Sequence, residues 1–369
     1  MFDISMTQVI STILLMLLGI AVGAQVAPIM SWVERRQCAI IQRRLGPNRV
    51  GFFKFRLLGL GQPIADAIKL LFKEDFVPPY VHKAFYVLAP VIPVTMGLAV
   101  TVAIPWGSHI LVNNEVVNLQ AVSLNSGFLL IFAFSSLAVY GVTLAGWSSN
   151  NKYSLLGGLR ASAQMVSYEV AMGLSIIPLI FIWGTLDLQT MITKQSEILW
   201  GFLPNWGVFH APVAFIIFIV AICAETNRLP FDLAESEGEL VAGFLTEYGA
   251  MRWSLFFLGE YAMMFVMCVL TVSLFFGGYE LPWLSQAYLL DTMTPHLGEV
   301  VTRWLLLPLG IVVLLTKVII LMWLFVQVRF TIPRFRYDQL MRLGWIYLLP
   351  IALVNLIITA IVTAIVKFH

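Results

Sequence analysis

The sequence predicts an all-α integral membrane protein: eight transmembrane helices, one amphipathic interfacial helix, and both termini on the outer (periplasmic) side. Three observations predict it. Of 369 residues, 60% are hydrophobic and only 11% charged, against roughly 25% charged in a soluble domain. Eight stretches approach the length of about 20 apolar residues that a span needs. The basic residues gather on one side of those stretches, as they do in cytoplasmic loops. With a mean hydropathy of +0.89, the chain reads as a single transmembrane domain over residues 1–369.

The spans expected in order are 9–32, 84–105, 124–147, 161–183, 211–227, 251–277, 304–328 and 345–367. No basic region precedes the first, so it reads as an anchor rather than a cleaved signal. Seven of eleven tryptophans, Trp32, Trp106, Trp147, Trp183, Trp253, Trp304 and Trp345, fall at these ends. Indole prefers the half-solvated headgroup layer. Between spans one and two, Gln62-Pro63 opens a helical pattern. Gln62, Asp66, Lys69 and Lys73 form its polar stripe, and Ile64, Ile68, Leu71 and Phe72 its apolar one. Too short to cross, this helix is expected to lie in the interface plane. It fits either a brace for the loop or a lip for a lipid-like substrate.

Orientation follows from lysine and arginine. The loops at about 33–83, 148–160, 228–250 and 329–344 hold, with their flanks, 18 of the 22 basic residues. They are expected inside, in the cytoplasm. The opposite loops carry Lys194, Arg303 and Lys367 and are otherwise uninformative. The net charge is +2; Cys38, Cys223 and Cys268 lie far apart with no CxxC, and the five histidines show no HxxxH spacing. A disulfide framework, a zinc ribbon or an iron–sulfur cluster held by this chain is therefore not expected. Gly59 and Gly61 are followed by Ile64 where a dinucleotide-binding fingerprint needs glycine. The sequence shows no metal, nucleotide or redox cofactor site of its own.

Chemistry concentrates on the basic side. Glu34-Arg35-Arg36 ends span one, and Gly46-Pro47-Asn48 marks a turn. Residues 225–252 hold Glu225, Asp232, Glu235, Glu237, Glu239 and Glu247 against Arg228 and Arg252. Clustered carboxylates, if buried, hold one another's protons, as a proton relay requires; a solvated acidic face is the plainer alternative. Interleaved Phe231, Leu233, Leu240, Val241 and Phe244 argue against full solvation. Within the spans stand Glu169, Glu260 and Lys317. Each would cost roughly 2.5–3.5 kcal/mol unpaired at mid-bilayer. They suggest an internal polar axis, or else structural ion pairs. The last basic loop, Arg329 through Arg342, could anchor topology, hold anionic lipid or dock an acidic partner. Nucleic acid does not suit so short a juxtamembrane loop.

These segments carry a family resemblance. Glu34-Arg35, Gly46-Pro47-Asn48, Gln62-Pro63 with Asp66 and Lys69, and Lys73-Glu74 resemble the first loop of the H subunit of NADH-quinone oxidoreductase, respiratory complex I. Gly146 through Tyr153, Arg160 through Gln164 and Ser167-Tyr168-Glu169 are similar to a later loop and span. Glu225-Thr226-Asn227-Arg228, Pro230-Phe231-Asp232, the Glu235/Glu237/Glu239 run, Thr246-Glu247-Tyr248, Gly259-Glu260-Tyr261 and Pro333-Arg334 through Met341 complete the likeness. One departure stands at Ile346, where the family usually has lysine after the tryptophan.

The resemblance implies a membrane protein of that complex which forms much of the quinone chamber and couples quinone reduction to proton translocation. It implies quinone as substrate, admitted between span one, the interfacial helix and span six. Chamber and access then fall to Glu34, Arg35, Arg36, Ala65, Asp66, Lys69, Arg228, Phe231 and Asp232. Proton coupling falls to Glu169, Glu225, Glu235, Glu237, Glu239, Glu247, Glu260 and Lys317. Docking to the peripheral arm falls to Arg329, Arg334, Arg336, Tyr337 and Asp338. Implied partners are the A, J and K membrane subunits, the antiporter-like L, M and N subunits, the peripheral B, C/D and I subunits, and lipid. FMN and iron–sulfur clusters belong to those partners. The location implied is the bacterial inner membrane, with the mitochondrial inner membrane second. Alternatives are the equivalent component of a membrane-bound hydrogenase or F420 dehydrogenase, or a stand-alone ion-coupled transporter. The absence of an internal repeat counts against the transporter.

Overall fold

The structure, a computed structural model, describes residues 6–51, 57–112, 115–122, 126–199, 203–234 and 240–368. In chain order its helices are α1 (Met6–Ile41), α2 (Gln62–Phe72), α3 (Lys83–Val100), α4 (Gly127–Ser148), α5 (Lys152–Trp183), α6 (Leu188–Gln195) and α7 (Gly207–His210). There follow α8 (Pro212–Glu225), α9 (Ala250–Phe275), α10 (Gln286–Leu297), α11 (Glu299–Thr331), α12 (Tyr337–Arg342) and α13 (Leu349–Phe368). Among the described residues seven helical segments are long and apolar enough to cross a membrane. These are α1, α3 with its short 3-10 extension, α4, α5, α9, α11, and α12 joined to α13 through the π-helical turn Leu343–Leu348.

The expected fifth span is different. At 14 residues and 1.5 Å per residue, α8 is about 21 Å long, short of the roughly 30 Å hydrocarbon core. It is buried on most sides: Ala214, Ile217, Phe218 and the run Ala221–Glu225 all face protein. A helix sheathed by its neighbours need not match the lipid thickness.

Two boundaries move for local reasons. The first helix does not stop at residue 32 but continues to Ile41, so Glu34, Arg35 and Arg36 sit on its last turns. No proline or glycine interrupts the chain between there and Gly46, so nothing ends the helix earlier. The fourth span starts at Lys152, where the Asn151 side chain caps it by accepting the Tyr153 N–H at 3.0 Å. Gly157 lies inside this helix because a Cβ there would come within 2.6 Å of the Gly243 Cα. The loop after α8 can thus press directly on α5.

α9 is the central post. Every residue from Tyr261 to Phe275 is buried, and the helix packs against α1, α3, α8 and α11. α5 packs against α4, α8 and α13. Two small antiparallel hairpins occur in loops the sequence left featureless: His109–Val112 with Glu115–Asn118, and Ile198–Leu199 with Leu203–Pro204. All the chemistry described next, apart from Lys317, lies toward the end of the bundle that carries the basic loops.

Candidate functional site

α2 starts with proline in its first turn, where the missing N–H costs nothing. Its apolar residues Ile64, Ile68, Leu71 and Phe72 are all exposed, as suits a helix lying in the membrane interface. Between α1, α2 and α9 opens a cavity of about 170 Å³, lined among others by Ala27, Arg35, Asp66, Ala67, Trp253 and Leu258. Arg35 Nη1 meets Asp66 Oδ2 at 2.6 Å and so ties α1 to α2 at the cavity wall. Ala65 and Lys69 are not among the lining residues. Arg36 turns away: its guanidinium donates to the Leu58 carbonyl at 3.0 Å, as the Trp32 indole does at 3.2 Å. The loop beneath depends on Gly59, at φ +82°, where a Cβ would meet the Pro47 carbonyl oxygen at 2.2 Å.

Deeper, four side chains from four segments converge. Glu34 of α1 accepts from Arg228 at 3.1 Å and from Arg329 of α11 at 2.5 Å, both on Oε1. Its Oε2 accepts the Tyr261 hydroxyl of α9. Glu34 is 9% exposed, Arg228 6% and Tyr261 fully buried. Two guanidiniums face one carboxylate, so the cluster carries a net positive charge. Burial pushes the Arg228 pKa down, but the Tyr261 hydroxyl and the Glu34 and Glu260 carboxylates more than offset it, and the group is held well above its usual range. A fixed positive field in a dry setting suits an oxygen that gains negative charge.

The loop after α8 is folded around one amide. Gln164 Nε2, fully buried on α5, lies 2.7 Å from the Ala224 carbonyl, 2.7 Å from the Phe231 carbonyl and 3.2 Å from Asn227 Oδ1. Asp232 is buried and paired with Arg334 at 3.0 Å. The last basic loop closes over it: the Phe335 N–H donates to the Pro230 carbonyl at 3.1 Å, and the Tyr168 hydroxyl to the Leu340 carbonyl at 2.8 Å. Arg329, expected to face a docking partner, thus points inward to Glu34, while Arg334 pairs with Asp232 and stays exposed. Arg336 and Asp338 stay exposed as a surface pair at 3.5 Å, and Tyr337 lies under the Arg160 guanidinium. Of the apolar residues expected to desolvate the acidic loop, Phe231, Leu233, Leu240 and Phe244 are buried, but Val241 is exposed. Glu235, Glu237 and Glu239 lie outside the described residues.

The membrane carboxylates divide into two environments. Glu225, 1% exposed, ends α8 with both oxygens lacking a hydrogen-bond partner among the described residues. It shares with Glu260 a cavity of about 30 Å³, walled also by Pro93, Val142, Phe244 and Phe256. That volume is about one water's share of the liquid. Glu169 on α5 is half-buried and accepts the Ser136 hydroxyl of α4. Glu247 is engaged differently: it accepts from Tyr80 at 2.9 Å and from Asn151 at 2.7 Å, joining three basic-side loops. That hydrogen bond holds the Tyr80 hydroxyl above its usual pKa.

Lys317 is not brought to these carboxylates. Its Nζ donates to the carbonyls of Phe276, Gly278 and Glu280 at 2.8, 2.9 and 2.6 Å, at the far end of α9. Sequence reasoning missed Tyr261, Gln164 and Ser136 as site members. Tyr261 carried a signal, a polar tip inside an apolar span next to Glu260. Gln164 stood in the resembling segment without a role, and Ser136 carried no signal beyond being polar within a span. Among the described residues no group of three His, Cys, Asp or Glu could hold a metal ion.

Comparison with known proteins gives a consistent result. The NADH dehydrogenase family profile matches residues 12–360. The chain is 42% identical to the H subunit of NADH-quinone oxidoreductase from Flavobacterium psychrophilum, over 90% of each chain. It is 45% identical to the H subunit from Bdellovibrio bacteriovorus over 92% of each, and 46% identical to that from Salinibacter ruber over 91% of each.

Proposed function

The chain belongs to the NADH dehydrogenase family, with H subunits of NADH-quinone oxidoreductase as its relatives, and on that premise we propose how its residues serve quinone reduction and proton translocation. The reading is carried by the cavity between α1, α2 and α9, together with the Glu34–Arg228–Arg329–Tyr261 cluster, whose Glu34 and Tyr261 stand on two of the same helices. A quinone tail enters from the membrane between the interfacial helix and the Trp253 region. Arg35, Asp66 and Ala67 border its path, and the buried positive cluster faces the deeper part of the chamber. Reduction consumes two electrons and two protons and forms the quinol. The electrons come from partner subunits carrying flavin and iron–sulfur clusters.

Proton coupling runs through carboxylates. The acidic run Glu235, Glu237 and Glu239 leads to Glu225 and Glu260 across their shared water-sized cavity, and on to Glu169 at the edge of the chain. Negative charge formed on quinone pulls against the Glu34 and Asp232 pairs, and proton movement along the relay restores balance. Glu247 supports the loops around the relay. Arg336, Tyr337 and Asp338 offer the exposed docking face to the peripheral B, C/D and I subunits, while the A, J and K subunits and the antiporter-like L, M and N subunits continue the membrane arm.

The topology we propose has eight crossings in the inner membrane of a bacterium, with α8 as the short fifth and both termini outside. The basic loops support it. A cysteine at Arg342 labelled from the outer face would sink that orientation. The function is tested by Glu225→Gln in the purified complex reconstituted in sealed vesicles. Quinone reduction and proton translocation are expected to fall together, while electron transfer from NADH to an artificial acceptor persists. Wild-type quinone reduction with wild-type pumping would overturn the relay.

A further inference from the structure

A file of buried polar groups runs along the half of α9 remote from the basic loops. Thr271, Ser273 and Gln195 are fully or almost fully buried. The Ser273 hydroxyl has no hydrogen-bond partner among the described residues. Gln195 Nε2 donates to the Ser273 carbonyl at 2.9 Å, and its Oε1 accepts the N–H groups of Gly207 and Gly277 at 3.1 and 3.0 Å. Glu280, 4% exposed, accepts the Gln286 N–H at 2.8 Å. A water chain entering from the far side would meet these groups first, about three turns of α9 short of Glu260.

At the head of this file stands Lys317. Its three carbonyl acceptors use all three N–H donors of an ammonium. A neutral amine has only two, so deprotonation would leave one carbonyl unpaired. The Trp206 ring centroid lies 5.5 Å from Nζ and adds cation–π support. The C-terminal end of α9 supplies the negative end of the helix dipole. The Glu280 carboxylate spends its hydrogen bond on Gln286 rather than on Lys317. The carbonyls, the ring and the helix end all favour the charged ammonium against the cost of burial, and they hold it in place.

We propose that Lys317 is an electrostatic seal: a fixed positive charge that bars protons from crossing α9 between the far membrane face and the Glu225–Glu260 cavity, so that protons leave this chain only sideways. Fixed cations and aligned backbone dipoles exclude protons from other membrane pores by the same means. Lys317 on this account relays no proton; it keeps the relay closed on one side. The inference goes beyond the proposed function, and quinone reduction measured in the same vesicles reports separately on that function.

The test uses the complete complex in sealed phosphatidylcholine vesicles, with Lys317→Met, Lys317→Gln and Lys317→Arg. Arginine keeps the charge, glutamine keeps hydrogen bonding without charge, and methionine removes both. Uncoupled quinone reduction is expected to stay near wild type in all three. Methionine and glutamine variants are expected to lower the respiratory control ratio by about twofold or more through proton leak, with arginine as tight as wild type. A tight glutamine variant beside a leaky methionine variant would overturn the seal in favour of a simple helix cap. Wild-type tightness in both neutral variants would overturn it as well. So would failure of both to assemble while arginine assembles, because that marks a requirement of folding.

Discussion

The guanidinium of Arg228 lies 4.0 Å from the centroid of the Tyr261 ring, and the two side chains bond the same carboxylate, Glu34. Stacking and ion pairing thus share one small buried volume joining α1, α9 and the loop after α8. Arg329 reaches the same carboxylate from α11. Glu34 is the hub, since its removal strands two cations at once.

Breaking a buried ion pair from one side costs about 3–5 kcal/mol, chiefly from the charge left behind. Glu34→Gln is therefore expected to lower the thermal inactivation midpoint of the purified complex more than Arg228→Lys, which keeps the charge while losing the planar stack and the guanidinium's fork of donors. Adding Arg228→Gln to Glu34→Gln should recover part of the loss, because one stranded cation goes. Inactivation of quinone reductase activity on heating measures all three. A Glu34→Gln complex with wild-type heat stability would show that the cluster does not brace the fold.

Access through the α1–α2–α9 cavity is testable by bulk. Ala67 lines it and Ala65 does not. Ala67→Phe is expected to raise KM for a long-tailed quinone severalfold, with little change for a short-tailed analogue, since a narrowed portal hinders the tail and not the head group. Ala65→Phe should have the smaller effect. Steady-state kinetics with both quinones decides it, and equal losses with both would point to disturbed assembly.

Much of this was legible in the sequence for a simple reason: apolar runs and basic-residue sorting are local signals. They found the helices and the two-faced pattern of α2. What they missed depends on neighbours. Glu34 looked like a loop residue because charge usually ends a span, yet α1 continues, and two guanidiniums and a tyrosine hydroxyl from three other segments pair with it. Lys317 looked like a companion of Glu169 and Glu260 because all three are ionisable within spans. Only the turn at Phe276–Glu280, folding back over α9, reveals that its partners are carbonyls. Arg329 reads as a docking residue from its loop, but it reaches inward to Glu34, whereas Arg334 remains exposed beside Asp232. Chain topology, not composition, decides where such charges point.

Glu280 gives a pH dependence. Burial raises its pKa above the ordinary 4.5, partly offset by the Gln286 N–H and then by Lys317. From 4.5 up to the raised value the folded chain binds more protons than the unfolded one, so stability falls as pH rises through that window and levels off above it. Glu280→Gln cannot titrate. Its heat stability relative to wild type is expected to improve as pH climbs above the ordinary 4.5, and to level off once the raised value is passed. Inactivation midpoints across that range check the sign, and a difference that shrinks with rising pH would mean that Lys317 dominates the burial.

The acidic run bears on coupling itself. Glu225 is buried without a hydrogen-bond partner among the described residues, and the Glu235–Glu239 run follows it by only ten residues or so along a loop pinned by Gln164 and Asp232. The pinned residues, 224–232, come just before that run in the sequence, and a charge change beside a held segment can bias it between two arrangements. Glutamine keeps the size and hydrogen bonding of glutamate but cannot carry the charge. Glu237→Gln is therefore expected to lower quinone reduction and proton pumping together, by about tenfold if one charge-assisted bond of roughly 1.5 kcal/mol is at stake, while the complex assembles and NADH still reduces an artificial acceptor. Proton uptake and quinone reduction measured on the same vesicles distinguish the outcomes. Pumping lost with quinone reduction intact would place Glu237 downstream of the chemistry. If Glu235→Gln, Glu237→Gln and Glu239→Gln all matched wild type, the run would be a solvated face and the relay would have to begin at Glu225.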